Sequence, residues 1–531
     1  MMEKRALIAV GLAFLVLLAY QFIFFKQEPQ QPLQKPAAVD TGEETTMMPA
    51  TVQEPEFPLP AQKTASRKGK EIPVETDLYT AVFSTAGGTL QQYILKKYQE
   101  NEGTNVVLLK EPGLKPPLSI GADDRFELSD KHFYASRENI MLNQETQTDT
   151  LTFTYSDGDR SVRRTYTFYN DTYRIDIQDE VSGLPDYWIA LGTDFGIHSA
   201  GDSYIHSGPV LLEGTDRVEF TTGKLEEPKT YREAVKWIAQ EDKYFFASLV
   251  PVSDIKEAKV WKEKDSAIIA LESSPGINNF ILYAGPKEYE TLKNLDMNLE
   301  HIVDFGFFSI IAIPLFWVLK VFYSVTGNYG IAIILITLII RIPFIPLMNK
   351  SQKSMKKMQA LQPRMAEIRE KYKKDPQRMQ KELMELYKKN KVNPVGGCLP
   401  ILLQIPIFFA LYKILMISIE LRQAPFMLWI KDLSAPDTLF GHLPDFIPLI
   451  GGFAVGPLPI LMGATMVIQQ KMTPTTLDPT QNKLMMLMPI VFTFLFLNFA
   501  SGLVLYWLMN NIFSIAQQFY VNKKVSKEEQ S

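Results

Sequence analysis

The chain has 531 residues, enough for two or more domains, with 46% hydrophobic residues, 21% charged residues and a formal net charge of −4. Its single cysteine, Cys398, excludes an intrachain disulfide framework. The averages are those of an ordinary globular protein and mislead: the apolar residues gather in a few long runs, the acidic excess precedes about residue 300, and residues 350–391 are strongly basic.

The first run, Ala6–Phe25, follows Lys4 and Arg5. It is long enough to span a bilayer, which takes roughly 20 mostly apolar residues. A cleaved signal peptide is the competing reading. The length of the run, and the Gln- and Pro-rich stretch after it with no small-x-small cleavage pattern, favour an uncleaved anchor over residues 1–25. Residues 26–70, rich in Pro, Gln, Thr and Glu, read as a disordered linker. From Glu71 the texture changes to short alternating segments with turn residues, and residues 71–290 are expected to form an exported, mostly β sandwich domain. Thr165–Phe168 and Tyr173–Ile177 flank Asn170–Asp171 as a hairpin, and Leu151–Tyr155 and Ala81–Phe83 read as strands. No catalytic set stands out in this region. His198 and His206 look isolated, with Asp194 near the first, and surface or turn positions suit them better than a metal or acid–base role.

The later apolar runs are Phe305–Phe322, Ile331–Met348, Leu399–Ile419, a Gly/Pro-broken stretch within Phe446–Ile468, Leu484–Phe499 and Leu503–Val521. Basic residues stay on the cytoplasmic side of a membrane. Lys4 and Arg5 put the N-terminus inside, so residues 26 to about 300 fall outside and the basic 350–391 segment must return inside. Only an odd number of crossings fits between. Phe305–Phe322, with Pro314, Lys320 and the Gly327–Asn328 break, is therefore expected to lie in the outer interface over residues 300–326. The second crossing occupies 327–349, and 397–521 hold crossings three to six. Lys471, Lys483, Lys523, Lys524 and Lys527 then all fall inside, the last three in or beside a tail of residues 522–531. The expected fold class is a multi-domain membrane protein with six transmembrane helices, both termini cytoplasmic.

Residues 350–391 read as a cytoplasmic helical hairpin. Met355, Met358, Leu361, Met365, Ile368 and Tyr372 recur at three–four spacing, Asp375–Pro376 breaks the helix, and Met379, Leu383 and Leu386 resume the pattern. The methionines pack such a hairpin; they also offer a soft surface to varied apolar segments. Its basic face is either a topology signal alone or a contact for ribosomal RNA or anionic lipid headgroups.

One residue stands apart. Arg341 sits inside an apolar run, seven residues before Met348 and thus roughly 10 Å deep in a hydrocarbon core of about 30 Å. Burying it unpaired costs at least ~2.5 kcal/mol, and no Asp or Glu lies in any crossing run. It either snorkels to the inner headgroups or faces a wet groove. Pro343 and Pro346, which remove backbone donors nearby, suit the groove.

Four stretches of the second half, KVNPVGGCLPILLQIPIFFALY at 391–412, ELRQAPFMLWIKDLS at 420–434, QQKMTPTTLDP at 469–479 and SGLVLYWLMNN at 501–511, closely resemble the YidC/Oxa/Alb insertase family in its Gram-negative form. The resemblance covers 300–525 and is weaker in the exported domain, where AVFSTAGGTLQQYILKKY at 81–98 and EDKYFFASLVP at 241–251 carry it. It implies a five-helix core, an added N-terminal anchor and a periplasmic β-supersandwich in a bacterial inner membrane. It implies insertion and folding of nascent membrane proteins, alone or beside the Sec translocon, with no nucleotide, cofactor, metal or covalent catalysis. Apart from the resemblance, the basic charge of 350–391 and of the C-terminal tail offers a contact for the ribosome or anionic lipids. By position the client-facing residues carry over to Thr337, Ile405, Phe408, Leu495 and Trp507, and the arginine of the groove to Arg341. Trp507 stands where Tyr is usual and Leu495 where Phe is common, and both keep a large apolar surface. Gln404, Asn498, Asn510 and Gln517 are polar groups in apolar runs, and groove lining and interhelical hydrogen bonds explain them equally.

Two other classes compete. A secondary transporter or channel wants intramembrane carboxylates and commonly an internal repeat, and neither is found. An envelope enzyme acting on sugars through the β domain lacks a paired-carboxylate site, and likeness of fold carries no activity.

Overall fold

The computed structural model describes residues 69–100, 103–198, 205–390, 392, 399–444, 446, 451–472 and 479–528. The expected anchor Ala6–Phe25 and nearly all of the 26–70 linker lie outside the described residues. The chain divides into two compact units, one ending at Gly285 and one running on from Pro286.

The first unit is built of strands from Glu71–Glu75 to Gly276–Pro286, arranged in sheets of five, nine and five strands. Three long neighbours, Thr148–Asp157, Arg160–Tyr169 and Arg174–Ser182, pair antiparallel in sequence order, and Ile175 sits opposite Phe168 across the Asn170–Asp171 turn. Gly276–Pro286 then joins the far side of Arg174–Ser182, with Tyr283 opposite Arg174. Every second residue of Val162–Phe168 is buried, as one covered sheet face requires. Phe83, Phe153, Tyr166 and Phe168 fill the space behind it with ring centroids 4.7–6.4 Å apart. Arg164 falls on that same inward face. It is fully buried and pairs in a fork with Asp179 at 2.6 and 2.7 Å, while its third nitrogen donates to the Leu118 carbonyl at 2.5 Å.

The histidines differ from expectation. His198 is not isolated: its Nε2 lies 2.6 Å from Glu100 Oε1, its Nδ1 3.2 Å from the Val107 carbonyl, and its backbone N–H donates to Asp242 at 2.8 Å. Glu100 and His198 lie about a hundred residues apart, so local spacing does not show their contact. His206 Nε2 lies 3.1 Å from the Pro209 carbonyl. Among the described residues no group of three or more His, Cys, Asp or Glu is placed to hold a metal.

The second unit is helical: α1 (Ser309–Thr326), α2 (Tyr329–Arg341), α3 (Ile345–Ala360), α4 (Gln362–Lys371), α5 (Pro376–Lys389), α6 (Leu399–Ile417), α7 (Pro457–Met472), α8 (Pro479–Phe496) and α9 (Ser501–Glu528). α1 stops at Gly327, whose φ of 65° is the left-handed conformation that closes a helix C-terminus cheaply in glycine. The next residue, Asn328, caps α2 by accepting from Ile331 N–H, and Tyr323 stacks on Tyr329 at 3.8 Å across this tight corner. A 3-10 turn, Ile342–Phe344, links α2 to α3 where Pro343 and Pro346 interrupt the hydrogen-bond ladder. By length and composition α1 and the continuous stretch Tyr329–Ala360 are each able to cross a membrane. α1 exposes Ile310, Ile313, Trp317 and Val321 along one stripe and buries Ala312, Phe316 and Leu319 on the other side.

In the 350–391 segment, Met358, Leu361 and Met365 form a small core with Val392 just beyond it, and Leu383, Leu386 and Tyr387 pack against them. The break falls at Asp375, whose side chain caps α5 by accepting from Arg378 N–H. Between α6 and α7 the described residues form a folded cap with one short 3-10 turn, Ile419–Leu421. Buried Asp437 accepts from Trp429 Nε1, Leu439 N–H and Leu458 N–H. The described part of the run Phe446–Ile468 is therefore helical only from Pro457 onward.

Candidate functional site

The site is built around α9, which packs against α2, α3, α6 and α7. Its polar residues separate by helical phase. Asn511 and Gln518, seven apart, face α7: Asn511 donates to Thr465 at 3.1 Å and Gln518 to the Met472 carbonyl at 2.6 Å. Asn510, Ser514 and Gln517 occupy the neighbouring stripe and face α2 and α3.

Arg341 meets that second stripe. Its side chain turns inward, leaving the residue 8% exposed. One terminal nitrogen donates to the Asn510 carbonyl at 2.5 Å, the Asn510 amide oxygen at 3.2 Å and the Ser514 hydroxyl at 2.9 Å. The other donates to Gln517 Oε1 at 3.3 Å. Gln517 is itself anchored, since its Nε2 donates to Asn349 Oδ1 at 2.9 Å. Among the described residues no carboxylate pairs with the guanidinium. Neutral amides link α9 to its other neighbours, Asn511 and Gln518 to α7 and Gln517 to α3.

Seven residues before Ser514 on α9, roughly 10 Å along the axis, lies Trp507. Phe408 of α6 meets it edge to face at 4.9 Å, and Phe496 and Phe492 of α8 lie at 5.1 and 6.0 Å. Gln404, one turn before Phe408, donates to the hydroxyl of buried Tyr506 at 2.5 Å. Ile405 and Leu495 remain 41% and 39% exposed, apolar surface beside the aromatic cluster's own helices. Thr337 is buried, and its hydroxyl donates to the Ile333 carbonyl of its own helix at 2.6 Å. The structure thus brings together Phe408 with Trp507 and Arg341 with Asn510 and Gln517. Asn498 instead accepts from Ala454 N–H at 3.1 Å, a tie between the α8–α9 turn and the cap.

Three groups escaped the sequence reading. Ser514 and Tyr506 are small or aromatic residues in an apolar helix, and only the i, i+4 relation of Ser514 to Asn510 marks it. Lys413, a cation within the α6 run, pairs with Asp304 at 3.1 Å. Lys320 of α1 approaches Glu420 at 4.0 Å. Glu420 follows α6, and burial, reinforced by Glu288 and Glu290 and opposed by Lys320, pushes its carboxyl up to about 7.

Comparison with known proteins follows the same division. A family described as 60Kd inner membrane protein matches residues 321–528, and one described as YidC periplasmic domain matches 71–318. The membrane protein insertase YidC of Geotalea uraniireducens (strain Rf4) is 41% identical over 561 residues, covering 99% of this chain and 100% of the relative. That of Geobacter metallireducens (strain ATCC 53774 / DSM 7210 / GS-15) is 42% identical over 551 residues, with 99% and 100% covered. Among solved structures, an active YidC insertase with its first transmembrane domain resolved is 21% identical, with a TM-score of 0.37 over 85% of this chain and 92% of that one. Identity at this level along the whole length, in both units, assigns the chain to the YidC family of inner-membrane protein insertases, which are not enzymes.

Proposed function

We propose that this chain inserts and folds integral membrane proteins, through a hydrophilic groove that contains Arg341 and opens to the cytoplasm and the lipid. The observation that carries this is the inward turn of Arg341 onto neutral groups of α9, on the same helix as the aromatic cluster at Trp507. A cation kept without a partner carboxylate in an apolar helix costs free energy that packing does not require. Its use is to receive an anion. In this reading a client's short polar tail, often carrying Asp or Glu, partitions into the groove, where water spares most of its desolvation cost. Arg341 holds the tail transiently. The client's apolar segment slides past Phe408, Trp507, Ile405 and Leu495 into lipid, and burial of that segment drives the step. The groove shortens the hydrocarbon distance the tail must cross.

The same reading has six crossings, α1 in the outer interface, both termini in the cytoplasm, and the first unit outside. The Sec translocon is an optional partner, and the basic 350–391 hairpin and C-terminal tail meet ribosomes or anionic lipid. The test is site-specific photo-crosslinking from positions 507 and 408 to a nascent single-span membrane protein in native membranes. Adducts at both positions, absent from a lipid-facing control at Ile310, are expected. Equal labelling at all three positions would overturn the client path.

A further inference from the structure

The geometry points to Asn510, with Ser514 and Gln517, as positioning residues that hold Arg341 in readiness: they satisfy the guanidinium without neutralising it. The inference rests on the insertase reading above and adds to it the device that keeps the cation available.

Among the described residues, each acceptor of Arg341 is uncharged. They are the backbone carbonyl and side-chain amide oxygen of Asn510, the hydroxyl of Ser514 and the amide oxygen of Gln517. The set is built and not incidental. Gln517 spends its donors on Asn349 and, at 3.5 Å, on the Ile345 carbonyl, which aims its oxygen at the arginine. Ser514 donates its own proton back to the Asn510 carbonyl at 2.8 Å, so its lone pairs are what it offers Arg341. The three residues recur at i, i+4 and i+7 on one stripe of α9, so rigid helix geometry sets their spacing.

Neutral acceptors matter for two reasons. They stabilise a buried charge that would otherwise be expensive. They also compete poorly with an incoming carboxylate, which adds an opposite full charge and a bidentate fork that a neutral acceptor lacks. Release costs little, because Ser514 and Gln517 keep their other partners. A resident carboxylate at the same place would pair permanently with Arg341 and exclude the client. Asn510 is the position where one atom decides this, since Asp has nearly the same shape.

The experiment uses the full chain reconstituted in liposomes and two matched single-span clients, one with an acidic tail and one with a neutral tail. Asn510→Asp is expected to lower the ratio of acidic-tail to neutral-tail insertion at least about five-fold, the size of a contact ion pair even at the dielectric constant of water. Asn510→Leu, of similar volume and without charge, removes the side-chain acceptor but leaves the Asn510 carbonyl, Ser514 and Gln517 in place, so it is expected to lower that ratio only about two-fold, well short of the Asp variant. If melting shows Asn510→Asp to be unfolded, Ser514→Asp carries the same expectation from the adjacent acceptor. Equal ratios for the Asp and Leu variants would overturn the positioning role. Arg341→Ala, run in parallel, separates the two levels. If it shifts the ratio while the Asp variants do not, only the cradle is wrong. If it does not shift the ratio, the electrostatic insertase reading fails first.

Discussion

Replacing Arg341 with alanine removes four donated hydrogen bonds to three residues of α9. Bonds to a charged group are worth about 1.5–3 kcal/mol each, but these share two nitrogens and do not add. Against that loss stands the cost of keeping the cation in an apolar helix, at least ~2.5 kcal/mol, which the substitution relieves. No counter-ion is left stranded, in contrast to a buried ion pair whose rupture costs about 3–5 kcal/mol. The two contributions nearly cancel, so the helical unit should change in stability by no more than about 2 kcal/mol. Function should respond far more. Insertion of a client with an acidic tail should fall roughly ten-fold or more, the equivalent of about 1.4 kcal/mol, while a matched neutral tail loses much less. Arg341→Lys keeps the charge and three donors and should retain much of the acidic-tail activity. The assay is insertion of both clients by purified variants in liposomes, with melting of each variant measured alongside. Equal losses for both tails, Lys as poor as Ala, and a large drop in melting temperature would show that Arg341 serves the fold.

Three further outcomes are expected. Asp179→Ala strands the fully buried Arg164 and should destabilise the β unit by about 3–5 kcal/mol, read by fluorescence melting of the full chain through Trp188, Trp237 and Trp261; a shift under one kcal/mol, on the order of a surface pair, would mean that water replaces the carboxylate. Deleting residues 353–390 removes a hairpin with its own small core, and should reduce client insertion while the melting temperature of α6–α9 stays nearly constant; a large fall would make the hairpin structural. The Glu420 carboxyl is raised, chiefly by burial, to about 7, so the folded state binds a proton that the unfolded chain has lost. Its contribution is then fully present below the ordinary glutamate range, about 4.3, and fades as pH rises through about 7. Stability of the wild type should decline over that window and Glu420→Gln should flatten the decline; identical pH profiles would remove Glu420 as the cause.

What the sequence alone determined is local. The Asn170–Asp171 turn lies between two strands because short polar residues tolerate its backbone and alternating neighbours flank it. Asp375–Pro376 starts a new helix because proline cannot continue one and aspartate caps the next. Gly327–Asn328 parts α1 from α2 for the same class of reason. Arg341 was conspicuous because a lone cation in an apolar run needs an explanation anywhere in the chain. Tertiary structure decided the partners. Periodicity says that Asn510 and Gln517 share a face of α9, but not that this face meets a residue some 170 positions earlier. Nor does it say that the Thr337 hydroxyl is spent on its own backbone. Arg164 on an inward strand position reads locally as an error in the pattern until Asp179, its neighbour across the hairpin, lies in the same dry layer. Helical and strand periods are properties of a few consecutive residues, so they are written along the chain. The pairing of one face with another is set by packing among distant elements, and only the folded molecule contains it.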